Sequence, residues 1–162
     1  MSFVIKVTRE LMLHGPTESS SVPLPAAQAG PVVLFDGVCN LCNATVNFLL
    51  DRDGRGTLRF AALQSSAARE RLRALGYDVR EGSPPSLLLI EQGHVYDRST
   101  AALRIARHLS SPGWRLAGVL LFVPRPLRDA IYSFVAKNRY AWFGRSDACR
   151  VPTAELRNRF LE

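Results

Sequence analysis

The sequence predicts one α/β domain, a βαβ unit followed by a β-hairpin and a helix, with a helical extension at the C-terminal end. Three observations predict it. Val32–Phe35 is a short run of β-branched, aliphatic and aromatic residues bounded by Gly30-Pro31 and Asp36-Gly37, which reads as a buried strand. The period then changes to helical, with Cys42, Val46, Leu49 and Leu50 falling on one face. Further on, Ser86–Ile90 and His94–Tyr96 flank Gln92-Gly93, the pattern of two strands joined by a tight turn.

The remaining elements follow in order. Gly54 and Gly56 end the first helix, and Leu58–Ala62 is a second short strand. Ser65 or Ser66 caps a helix running to Leu75, with Ala68, Leu72 and Leu75 on its inner face and Gly76 as its stop. Ser99 or Thr100 is expected to cap the helix that ends near Leu109. Beyond the apolar stretch Trp114–Val123 and the breakers Pro124 and Pro126, a helix is expected from about Leu127 to Lys137, with Leu127, Ile131, Phe134 and Val135 facing inward. The chain thus divides into residues 1–30, an apolar segment with a Pro/Ser/Ala-rich linker, a core over 31–111, and an aromatic-rich helical extension over 112–162 packed on that core.

The 162 residues suit one domain of ordinary size. The net charge is +7, but it is carried almost wholly by arginines scattered along the chain, with Lys6 and Lys137 as the lysines. No dense basic run of the kind that binds nucleic acid or a membrane is present, and neither partner is expected. The longest clean apolar run, Leu116–Val123, is too short to span a bilayer, which needs roughly 20 residues. Lys6, Arg9 and Glu10 interrupt any signal-peptide core. Three cysteines, two of them close together, fit a reducing compartment, so the expected location is cytoplasmic.

The close pair, Cys39 and Cys42, sits where the first strand passes into the first turn of the helix. Helix N-terminal N–H groups and the positive end of the helix dipole favour thiolate over thiol. Residues three apart on a helix are also close enough for a disulfide. Cys42 belongs to the apolar stripe and should be buried, whereas Cys39 at the helix tip should be reachable. Cys39 is therefore the expected nucleophile and Cys42 the resolving thiol. Asp36, three residues before Cys39, either accepts backbone N–H bonds in the turn or exchanges a proton with Cys42; plain turn chemistry weighs equally. Leu41, between the cysteines, is either an exposed apolar contact for a substrate or a partly buried residue.

The segment Pro84-Pro85-Ser86-Leu87-Leu88-Leu89-Ile90 is similar to the part of thioredoxins in which a cis-proline opens a strand facing the cysteine pair. That likeness makes Pro85 and the preceding Pro84 candidate substrate-binding residues, through backbone groups that pair with an extended peptide. The stretch Asp36-x-x-Cys39-x-x-Cys42 after a Val/Leu/Phe strand resembles the signature of the DCC family of thiol–disulfide oxidoreductases. The resemblance continues through Arg52-Asp53, Phe60-Ala61-Ala62-Leu63-Gln64-Ser65, Ser99-x-Ala101-Ala102, Asn138-Arg139-Tyr140 and Cys149-x-x-Pro152, covering residues 31–162. It implies a thioredoxin-like fold and dithiol–disulfide exchange with a protein or low-molecular-weight thiol or disulfide substrate and an electron donor. It extends neither to the Pro-Pro pair nor to residues 1–30. No organic cofactor or metal is expected, since the dithiol is itself the redox group.

Two other functional classes compete. A metal-binding module using Cys39 and Cys42 lacks a second Cys-x-x-Cys, and Cys149 is distant in sequence. A redox-inactive interaction domain with the same fold would tolerate loss of Cys39. A strand-end aspartate nucleophile for phosphoryl transfer is disfavoured because position 38 is valine, where a second carboxylate is needed. Cys149, between Arg145 and Arg150, reads as a packing residue ahead of a third redox or regulatory thiol, and the isolated His14, His94 and His108 as surface or satisfied core residues.

Overall fold

The computed structural model describes residues 30–79, 86–146 and 156–161. Among these, four strands, β1 (Val32–Phe35), β2 (Arg59–Ala62), β3 (Leu87–Glu91) and β4 (His94–Asp97), form one sheet in the order β2-β1-β3-β4. β1 runs parallel to β2 and antiparallel to β3, and β3 and β4 are antiparallel. The helices are α1 (Asn40–Arg52), α2 (Ser66–Ala74), α3 (Arg98–Ala106), α4 (Pro112–Leu116) and α5 (Arg125–Phe143), with short 3-10 helices at Ala117–Phe122 and Arg157–Arg159. This is the thioredoxin-like α/β arrangement with added C-terminal helices.

The strands alternate between two apolar layers. Val33, Phe35, Leu87 and Leu89 pack with Cys42, Val46 and Leu49 of α1 and with Ala101 and Ile105 of α3. Val32, Leu34 and Leu88 pack on the other face with Ala68 and Leu72 of α2. All four residues of β1 are buried, as the central position between β2 and β3 requires. Gln92 and Gly93 have φ of 52° and 76°, the left-handed pair that a two-residue turn needs to match the twist of β3 and β4.

The Ser65 cap is present: its hydroxyl accepts the Ala68 N–H at 3.2 Å. The expected cap of α3 is not. Asp97 precedes the helix without a side-chain cap bond, while the Ser99 hydroxyl, inside the helix, donates to Asp129 of α5. α5 departs furthest from expectation. It is longer at both ends than the 127–137 span, and Leu127, Ile131, Phe134 and Val135 face outward, not inward. Its inward side instead presents Asp129, Tyr132, Arg139 and Tyr140, which pair with Ser99, Ser86 and Asp36 of the core. Polar groups that find partners only on the core outweigh the simple rule that the apolar stripe is buried.

The tail rejoins the sheet. Phe160 packs against Phe35 and Phe60, and the Leu161 N–H donates to the Phe60 carbonyl at 2.8 Å. Arg159 pairs with buried Asp53, whose carboxylate also accepts from the N–H groups of Thr57 and Leu58. Among the described residues no helix is long and apolar enough to cross a membrane.

Candidate active site

β1 ends at Phe35 and α1 begins at Asn40, so Asp36–Cys39 form the turn between the central strand and the first helix. Cys39 is the N-cap of α1, with extended backbone (φ −93°, ψ 119°). Its Sγ accepts the Cys42 N–H at 3.4 Å, so a sulfur stands where a cap hydroxyl or carboxylate usually does. The Cys39 carbonyl accepts the Asn43 N–H at 2.9 Å, the first bond of the helix ladder. Neither cysteine is in a disulfide.

The turn is clamped from three sides. The Asp36 carboxylate accepts the Val38 N–H at 3.3 Å and the Gln64 side-chain amide at 3.0 Å, both at Oδ1. The carbonyl end of the same Gln64 amide accepts the Gly37 N–H at 3.2 Å, and the Asn43 amide donates to the Gly37 carbonyl at 3.0 Å. From α5, the Arg139 guanidinium reaches Asp36 Oδ2 at 3.1 Å and the Tyr140 hydroxyl donates to the same oxygen. The Arg139 guanidinium also lies over the Tyr140 ring at 4.4 Å. A buried acid at the end of a central strand is thus held by donors from the β2–α2 turn and from the C-terminal extension.

Burial alone pushes the Asp36 carboxyl upward, but the bonds from Tyr140, Gln64, Arg139 and Val38 outweigh it and hold the group below the usual carboxylate range. Burial pushes the Cys42 thiol far above its ordinary value, and the Cys39 sulfur and the Asp36 charge add to the rise. Tyr140 is pushed up by burial and by donating to Asp36, so it stays a phenol. Burial also raises Tyr132, whose hydroxyl pairs with Ser86 just before β3. These directions favour the carboxylate at Asp36 and the thiol at Cys42.

Cys42 is buried as expected, at 5 % exposure. Cys39 is not reachable as expected: its exposure is 0 %. Its side chain belongs to the apolar cluster of β1, α1 and α3, and the residues after α5 run alongside its turn. Arg145 pairs with Cys39 as an antiparallel bridge, the Ser146 N–H donates to the Val38 carbonyl at 2.9 Å, and the Asn40 amide donates to the Phe143 carbonyl at 2.9 Å. This strap lies along the 38–40 turn. It begins at Gly144, whose φ of 76° and ψ of 178° belong to a region open essentially to glycine. Gly144→Ala is expected to cost about 1–3 kcal/mol of strain and to speed iodoacetamide labelling of Cys39 in the folded protein severalfold. A stability loss with an unchanged labelling rate would show that the strap does not control access.

Leu41 is half-buried and packs against the core. Pro84, Pro85 and Cys149 lie outside the described residues. Among those described, no group of three or more His, Cys, Asp or Glu side chains is arranged to hold a metal ion. The sequence reading did not assign roles to Gln64, Arg139 or Tyr140. All three stand in segments that carry the family resemblance, which was the available signal. Ser86 stands in the segment similar to thioredoxins but carried no role there, and Tyr132 gave no signal.

Comparison with known proteins agrees with this architecture. The DCC1-like thiol-disulfide oxidoreductase family matches residues 33–145. The uncharacterized protein YuxK of Bacillus subtilis is 46 % identical over 130 residues, covering 80 % of this chain and 93 % of that protein. A chloroplastic DCC family protein of Arabidopsis thaliana is 44 % identical over 125 residues, covering 75 % of this chain and 69 % of that protein. No solved structure matches significantly. The match spans the cysteine turn, the sheet and the α5 residues that hold Asp36, and the chain belongs to the DCC1-like thiol-disulfide oxidoreductase family.

Proposed function

We propose that the protein carries out dithiol–disulfide exchange at Cys39 and Cys42, on a protein or low-molecular-weight disulfide, with a separate thiol as electron donor. The observation that carries this reading is the pair itself, two free thiols one helical turn apart at the start of α1, with the Cys39 sulfur held by the Cys42 N–H. The Cys39 thiolate attacks one sulfur of the substrate disulfide, and that S–S bond breaks. The departing thiolate takes up a proton. Cys42 then gives its proton to solvent and attacks the Cys39 sulfur, and the second substrate thiolate released takes a proton from solvent. The substrate gains two electrons and two protons, and the protein is left with a Cys39–Cys42 disulfide.

Asp36 acts here as a positioning residue. Its low proton affinity makes it a poor proton store, and its bonds to Val38, Gln64 and α5 hold the turn that presents Cys39. The substrate reaches the Cys39 sulfur when the strap at 144–146 shifts. The cysteine usage suits a reducing compartment, the cytoplasm being the simplest.

A titration of the metal-free protein in glutathione buffers, read by alkylation and mass spectrometry, tests this. A reversible two-electron transition confined to Cys39 and Cys42 is expected. Absence of any intramolecular disulfide across the buffer range would refute exchange chemistry.

A further inference from the structure

The outward face of α5 has no part in the thiol chemistry, and its composition runs opposite to that of an ordinary surface helix. Leu127, Ile131, Phe134, Val135 and Trp142 fall within an arc of about 100° around the helix, and they are exposed by 58, 63, 61, 36 and 54 %. The side turned to the core carries Asp129, Tyr132, Arg139 and Tyr140. Phe122, just before the helix, is 89 % exposed. Single exposed apolar residues are ordinary, but a continuous stripe of this size marks a surface that meets something apolar.

Charge identifies what it meets. Residues 112–146 hold six basic side chains and one acidic one, Asp129; Arg139 is buried against Asp36 and Arg125 is paired with Asp97 and Asp129, while Lys137 and Arg145 are exposed. Asp129 is buried against Ser99 and Arg125, and exposed Lys137 flanks the stripe. A second copy of the chain would bring the same excess of positive charge to the contact. A surface both apolar and negatively charged complements it. The indole ring of Trp142 at the end of the stripe suits the boundary between headgroups and acyl chains.

We propose that the outward face of α5 binds the surface of an anionic lipid bilayer. α5 lies flat on that surface along its 19 residues, roughly 28 Å, and no part of it crosses. This departs from the sequence reading, which expects no membrane partner because the charges look scattered. The fold brings basic residues and the apolar stripe onto one extension.

The test is co-sedimentation of the full chain with vesicles of phosphatidylcholine alone and of phosphatidylcholine with phosphatidylglycerol in equal parts. The expected result is binding at least about tenfold stronger to the anionic vesicles, weakened by salt, and reduced at least about tenfold in the variant carrying both Ile131→Glu and Phe134→Glu. These positions are exposed, and circular dichroism checks that the variant remains folded. Should it not, Lys137→Glu and the salt titration of the unaltered chain decide the charge dependence. Equal binding to both vesicles, or none, overturns the proposal. So does a stable dimer in sedimentation equilibrium that the double variant splits, which would assign the face to a second copy. None of these readouts involves a thiol, so the outcome is independent of the exchange reaction.

Discussion

Arg139→Ala is expected to lower the unfolding free energy by about 3–5 kcal/mol, as removal of one partner of a buried ion pair does. The side chains of Arg139 and Asp36 are only 8 % and 1 % exposed, so water cannot replace the lost guanidinium. Urea denaturation measures the change, and a loss under about 1 kcal/mol would mean the pair behaves like a surface contact. The same site sets an acid limb in stability. A carboxyl held below its unfolded value contributes fully at neutral pH and loses that contribution as pH falls from about 4 through its folded value. Asp36→Asn is therefore expected to flatten the fall of stability below pH ~4, measured by urea midpoints across that range. Some acid dependence should persist, because Asp129 is shifted in the same direction: its bonds to Ser99 and Arg125 outweigh its burial.

The second large effect separates the two thiols. Cys39→Ser is expected to reduce exchange with glutathione disulfide to the uncatalysed background, because the remaining Cys42 is buried and held as a thiol. Cys42→Ser is expected to accumulate a mixed disulfide of glutathione on Cys39, visible as a mass increase that dithiothreitol reverses, since the resolving sulfur is gone. The opposite pattern, with the adduct on Cys42, would exchange the two roles. Both serine variants should fold, as the change is close to isosteric.

The fold was largely legible because its core elements obey local rules. β1 is a bounded apolar run, α1 has a clean helical stripe, Ser65 caps α2, and Gln92-Gly93 closes a hairpin. The failures share one cause, which is a contact distant in sequence. Ser99 looks like a cap until Asp129 arrives from 30 residues away. Leu127, Ile131, Phe134 and Val135 look like a core face until Arg139 and Tyr140 are seen to reach Asp36 on the opposite side. Cys39 looks exposed until Arg145 lies alongside it. At the site, the cysteines and Asp36 could be found from spacing, but the anion's partners could not. A buried carboxylate announces that donors must exist without saying which segment supplies them.

The tail at 156–161 has a consequence for how molecules of this protein avoid one another. β2 lies at the margin of the sheet, and an open margin is a template onto which a foreign strand can add. Here Leu161 satisfies the Phe60 carbonyl, Phe160 sits over the ring of Phe60, and Arg159 donates to the Leu58 carbonyl. The chain thus closes its own margin with its last described residues, anchored through Arg159 to the carboxylate of Asp53. Asp53 ties the covering tail, through Arg159, to the Leu58 N–H at the start of the same margin.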